Sequence, residues 1–166
     1  KYVMSDVDRI GGVKVLMKDE VIFSGVVDIV RDTHIRNPVI ILPGTIINLD
    51  AGASLIFHNK VTAIGTSKLP ITINRKNINQ AWGTFALQGK ETSGSVFSNI
   101  NMSGGSGDIV NRVYYTSMLS LHKTSNISID KSDFYNNEKY DDMFHVVYGD
   151  NIRLDDVTFK NAVFDA

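Results

Sequence analysis

Apolar positions along this chain come in short alternating runs. The clearest are "VIFSGVVDIV" (21–30), "GTIINLDAGASLIFHN" (44–59), "LPITIN" (69–74), "GTFALQG" (83–89), "MLSLH" (118–122), "ISID" (127–130), "FHVVY" (144–148) and "IRLDD" (152–156). Alternation with a period of two, enriched in Val, Ile, Phe and Thr and broken every few residues by turn formers, predicts strands with one face buried. No long stretch carries apolar residues at the i, i+3, i+4, i+7 spacing of a helix. Several of the predicted strands are only about four residues long, short for a sandwich. The chain reads as all-β.

The pattern also repeats. "SNISIDKSDFYNN" (125–137) is rewritten as "DNIRLDDVTFKNA" (150–162), with Asn126 over Asn151, Ile127 over Ile152, Ile129 over Leu154, Phe134 over Phe159 and Asn136 over Asn161. A period of about 25 residues built from short strands and Asn-bearing corners is the signature of a solenoid. Each repeat is then one coil of a parallel β-helix. Leu119 and Leu121 stack against Phe144 and Val146, and an earlier coil supplies Phe85, Leu87, Phe97 and Met102 to the same inward columns. Asp at Ile129 or Leu154 would bury an unpaired charge. Asn126–Asn151 and Asn136–Asn161 are expected as hydrogen-bonded corner ladders. The outward columns follow: Ala86, Ser120 and His145; Gln88, His122 and Val147; Ser98, Asp130 and Asp155; Asn101, Asp133 and Thr158. Stacked Asp130 and Asp155 repel and call for relief, with Arg153 or Lys131 at hand. His34 and His58 are expected to be structural and far from the inserted loops. Trp82 is expected near a coil corner.

The stretch "VIILPGTIINLDAGASLIFHNKVTAIGTSKLPITI" (39–73), followed by "WGTFALQG" (82–89), resembles the lead-in of many extracellular bacterial β-helix proteins. In its "ILPGT", "GASLIF", "AIGT" and "PITI" elements, Gly44, Gly52 and Gly65 make corners and Pro43 and Pro70 punctuate strands. From about Val21 onward the chain is similar to the pectin-lyase-like superfamily. The resemblance implies a single-stranded right-handed parallel β-helix forming one domain over 1–166. Residues 1–38 would give the N-terminal cap and first strands, and 39–166 the coils. It also implies a secreted, periplasmic or cell-surface location. The superfamily holds polysaccharide lyases, glycoside hydrolases and esterases beside adhesins and inert coils, so the fold does not choose an activity. No catalytic motif of these enzymes carries over residue by residue. The pattern breaks off at "NAVFDA", where another inward strand is called for, so the sequence reads as a C-terminally truncated fragment. An uncovered last coil would self-associate.

Composition alters this picture little. Lys and Arg total 17 against 18 for Asp and Glu, a net charge of −1, which gives no long-range pull toward nucleic acid or an anionic membrane. Cysteine is absent and no apolar run approaches the roughly 20 residues that span a bilayer. Candidate chemistry lies in two insertions that leave the same corner, "GSGDIVNRVYYTS" (105–117) and "NEKYDDM" (137–143). Both enter the face of His122 and His145. Arg112, Tyr114, Tyr115 and Tyr140 offer rings and a charge for sugar binding. Asp141, Asp142, His145 and His122 offer acid–base groups, and the carboxylates could take a hard cation such as Ca2+. The expected function is a polysaccharide-acting or polysaccharide-binding β-helix. The alternative is a non-catalytic surface or adhesin module.

Overall fold

The structure, a computed structural model, describes residues 10–15 and 20–163. Much of the expected N-terminal cap, at 1–9 and 16–19, lies outside the described residues. Strand β1 (Val13–Val15) pairs antiparallel with β2 (Val21–Phe23). From β2 onward the chain turns through repeated three-sided coils. The first is β2, β3 (Val26–Ile29) and β4 (Thr33–Ile35). The second is β5 (Val39–Ile41), β6 (Ile46–Leu49) and β7 (Leu55–Phe57). The third is β8 (Val61–Ile64), β9 (Ile71–Arg75) and β10 (Phe85–Gln88). The fourth is β11 (Val96–Ser98), β12 (Ile100–Ser103) and, after a hairpin of β13 (Asp108–Val110) and β14 (Val113–Tyr115), β15 (Ser117–His122). Then β16 (Ser125–Tyr135) covers two sides by itself before β17 (Asp142–Val147), and β18 (Asp150–Lys160) repeats it.

Each strand pairs in parallel with its counterpart one coil away. The third side is a 5-stranded sheet in the order β17-β15-β10-β7-β4. The first two sides join into an 11-stranded sheet, because β16 pairs with β11 through its first half and with β12 through its second. Lys131 makes that corner with a left-handed φ of 48°, and Asp156 repeats it at 53°. The stack is a parallel β-solenoid around one apolar core.

The expected register holds. Leu119 pairs with Phe144, Leu121 with Val146, Ile127 with Ile152, Ile129 with Leu154 and Phe134 with Phe159. Phe85, Leu87, Phe97 and Met102 take their foreseen places. Side chains alternate inward and outward along each strand, so the inward set piles into columns. Phe23, Phe57, Phe85 and Phe97 form a chain of rings through the core, with centroids 6.4, 4.9 and 6.1 Å apart. Each such pair is worth about 0.5–1.5 kcal/mol beyond its buried area. Both Asn ladders form: Asn151 Nδ2 donates to Asn126 Oδ1 at 2.6 Å, and Asn161 Nδ2 to Asn136 Oδ1 at 3.0 Å. All four Asn residues have positive φ, which Asn tolerates better than other side chains bearing a Cβ. Arg153 relieves Asp155 at 3.1 Å. Trp82 is buried, and its Nε1 donates to the Ser103 carbonyl at 2.7 Å.

Leu154 keeps its register but not its expected burial. It is 40% exposed, because among the described residues β18 pairs with β16 alone.

Candidate functional site

The insertion at 105–117 does not stand up as a loop. Ile109, Val110 and Val113 to Tyr115 flank Asn111 and Arg112, whose φ values of 49° and 65° fit the tight primed turn that suits a twisted hairpin. The hairpin lies over the third side. Val110 and Tyr115 are buried there and pack with Ile56 and Ala86 of the sheet in a second small core. Ala86 and Ser120, expected outward and open, are therefore fully covered. Tyr115 donates from its hydroxyl to Gln88 Oε1 at 3.1 Å, its ring lies 4.8 Å from that of His122, and burial pushes its pKa up to about 12. At the hairpin's base, Ser54 donates to Asp108 Oδ2 at 2.8 Å.

The hairpin tip reaches the far end of the face. The Asn111 side-chain amide donates to His34 Nε2 at 3.2 Å, so His34 Nδ1 carries the proton and donates to His58 Nε2 at 2.8 Å. This corrects the expectation that His34 and His58 lie far from the inserted loops. The hairpin runs along the solenoid axis, and period-two reading of the sheet strands alone cannot show that.

The second insertion is shaped by Asn137. Its buried amide donates to the carbonyls of Tyr140 (2.7 Å), Asp141 (3.4 Å) and Asp142 (3.4 Å). Tyr140 lies against Gly107, where φ is +89° and a Cβ would stand 2.7 Å from the ring and 2.6 Å from the Tyr115 carbonyl. The two insertions are thereby pinned together at their roots.

Where they meet, three polar side chains converge. His145 Nδ1 lies 2.6 Å from Thr116 Oγ1, and Thr116 donates to Asp142 Oδ2 at 3.4 Å. Asp142 Oδ2 is also 3.7 Å from His145 Nδ1. The consistent proton arrangement is His145 Nδ1–H to Thr116, and Thr116 O–H to Asp142. That leaves His145 Nε2 as the ring nitrogen outside this chain. His122 stands edge-on to His145 with centroids 6.4 Å apart. Burial first, then His145 and Lys123, lower the His122 pKa. Its Nε2 is buried with no hydrogen-bond partner. Tyr114 is 65% exposed, while the buried Tyr115 faces the sheet.

The structure thus brings together Asp142, His145 and His122, with the Tyr115 ring against that of His122. Asp141 is exposed, and its carboxylate stands outside this cluster. Arg112 sits at the hairpin tip near β4, four strand spacings or about 19 Å from β17. Tyr140 serves as packing, with Lys139 Nζ 5.5 Å over its ring. Thr116, which links the acid to the imidazole, was missed. It lies at the junction of insertion and strand, where neither the repeat nor the hairpin pattern assigns a direction. Among the described residues no group of three or more His, Asp, Glu or Cys gathers to hold a metal ion, and Asp141 and Asp142 do not converge as a calcium cage would require. Among them, too, no helix is long and apolar enough to cross a membrane. Comparison with protein-family models, with curated proteins and with solved structures finds no match.

Proposed function

We propose that the chain is a polysaccharide-binding right-handed parallel β-helix of the pectin-lyase-like kind, secreted or displayed at a cell surface. Its sugar-binding edge runs along the hairpin base. The observation that carries this reading is the Asp142–Thr116–His145 chain at the hairpin's base, with the exposed Tyr114 two residues before Thr116 in the sequence. An aromatic ring beside a hydroxyl, a carboxylate and an imidazole is the combination that grips a pyranose, the ring on its C–H face and the polar atoms on its hydroxyls. Binding is favoured over cleavage because the hairpin covers the middle of the face, where a polymer would need an open groove.

Affinity electrophoresis through gels containing acidic or neutral polysaccharides tests it. Tyr114→Ala and Asp142→Asn should each weaken retardation by one polysaccharide about tenfold, with melting unchanged. Reducing-end and ultraviolet assays on the same mixtures read cleavage by His145 as a base, through hydrolysis or elimination. A second reading, an adhesin-like spacer that binds no sugar, has the covered face in its favour. Mobility indifferent to every polysaccharide would establish that reading and end the first.

A further inference from the structure

A cavity of about 610 Å³ opens at the corner where β9, β12 and β16 end, lined from the 137–142 turn by Asn137 and Glu138 and not by Asp142. Arg75 forms its back wall. Its Nε donates to the Gly104 carbonyl at 3.0 Å, one terminal nitrogen to the Ile78 carbonyl at 3.0 Å, and the other to the Asn136 carbonyl at 3.4 Å and to Glu138. Gly104, at φ +81°, is what admits the guanidinium, since a Cβ there would lie 2.2 Å from Arg75 Nε. The second cation, Lys76, is held by Asp28 at 3.1 Å and Asp50 at 3.9 Å. Both positive charges of the lining already have carboxylate partners.

What remains for a ligand is uncharged. The Asn136–Asn161 ladder leaves Asn136 Nδ2 as a donor and Asn161 Oδ1 as an acceptor, and Asn74 adds a further amide. Ile78 stands at the rim, 81% exposed. A large aliphatic side chain so open, beside amides that offer both donors and acceptors, suits a ring with one C–H face and several hydroxyls. The volume lies within the roughly 300–1,000 Å³ range of small-ligand sites.

We infer that this cavity is a subsite for one neutral sugar residue, distinct from the Tyr114–His145 edge. The inference rests on the polysaccharide reading above and adds to it both a place and a charge preference. An acidic sugar would have to displace Glu138 from Arg75, whereas a neutral one leaves that pair intact.

The test is amide and side-chain NMR on the labelled chain, titrated with cellobiose, mannobiose and galactobiose as neutral probes and digalacturonate as the acidic one. At least one neutral disaccharide should move the side-chain amide signals of Asn74, Asn136 and Asn161 saturably, and digalacturonate should not. Ile78→Asp, at an exposed site that carries no core packing, should weaken that response about tenfold with unchanged melting. Shifts confined to Tyr114, Thr116, Asp142 and His145 would overturn the cavity assignment and leave the hairpin edge standing. Shifts confined to the cavity would do the reverse. A cavity that responds to digalacturonate alone, or to none of the four, would also overturn the inference.

Discussion

At the scale of single residues, the informative side chains are the histidines under the two ends of the hairpin. His58 is buried enough to have its pKa lowered, with Arg36 and then His34 adding to the effect. Asn111 secures the other nitrogen of its partner His34. His122 is lowered first by burial, then by His145 and Lys123, while Tyr115 and Gln88 face it without charge. In both cases the folded state holds its proton less tightly than the unfolded chain, whose value is 6.5. Stability is therefore complete above about pH 6.5 and falls as the pH drops through that value toward the lower folded-state values. Melting followed from pH 8 to pH 5 should show a plateau and then a decline, with each kcal/mol lost lowering Tm by about 2–4 °C. The double substitution His58→Gln, His122→Gln should flatten the decline. An unchanged slope in the double variant would show that other groups govern it. The alternating pattern was enough to place His122 beside His145. The missing link was Thr116, because a residue at the end of an inserted loop has no column to report its direction.

At the scale of elements, the third side shows how far a repeat can be read. Its registers were legible from Phe85, Leu87, Leu119 and Leu121, because inward columns must stay apolar from coil to coil. The covering of its outer face was not legible, since Ala86 and Ser120 occupy outward positions and look solvated until something lies over them. The clue was in the insertion itself: Val110, Val113 and Tyr115 fall on one face of a hairpin turning at Asn111-Arg112, with Ile109 and Tyr114 on the other, the pattern of a hairpin with one face to bury. Tyr115 is the anchor, 2% exposed and bonded to Gln88. Tyr115→Ala removes a buried ring at a cost of about 3–5 kcal/mol by analogy with other aromatic truncations. The loss falls on the hairpin rather than on the coils, which keep their own core. Limited proteolysis should then cut between Gly107 and Thr116 in the variant and not in the parent, while the main melting transition moves by only a few degrees. Loss of all cooperative melting would mean that the hairpin is integral to the solenoid.

At the scale of the whole molecule, stability grows by stacking, so a residue's weight depends on whether a coil lies on both of its sides. Ile129 and Leu154 occupy the same column, yet Ile129 is 0% exposed and Leu154 40%. Asp at Ile129 buries an unpaired charge, whose cost of several kcal/mol rivals the total stability of a domain. Ile129→Asp should not fold. Leu154→Asp keeps its charge at the water's edge and should fold, with a modest fall in Tm, which replaces the sequence-based expectation that both would fail. The same exposure drives the final prediction. Leu154, Phe159 and Val163 are 40%, 42% and 39% exposed on one surface, beside a β18 whose described partner is β16 alone. An apolar surface bordered by backbone donors and acceptors that have no partner among the described residues can pair with another of its kind, and a two-fold contact between like surfaces closes on itself and stops growth. A chain of this sequence should sediment as a concentration-dependent monomer–dimer mixture. Leu154→Asp, folded but charged at the contact, should sediment as a monomer at every concentration, and Tyr115→Ala should dimerise as the parent does. A parent that stays monomeric at the highest concentration, or a Leu154→Asp variant that still dimerises, would place any association elsewhere on the solenoid.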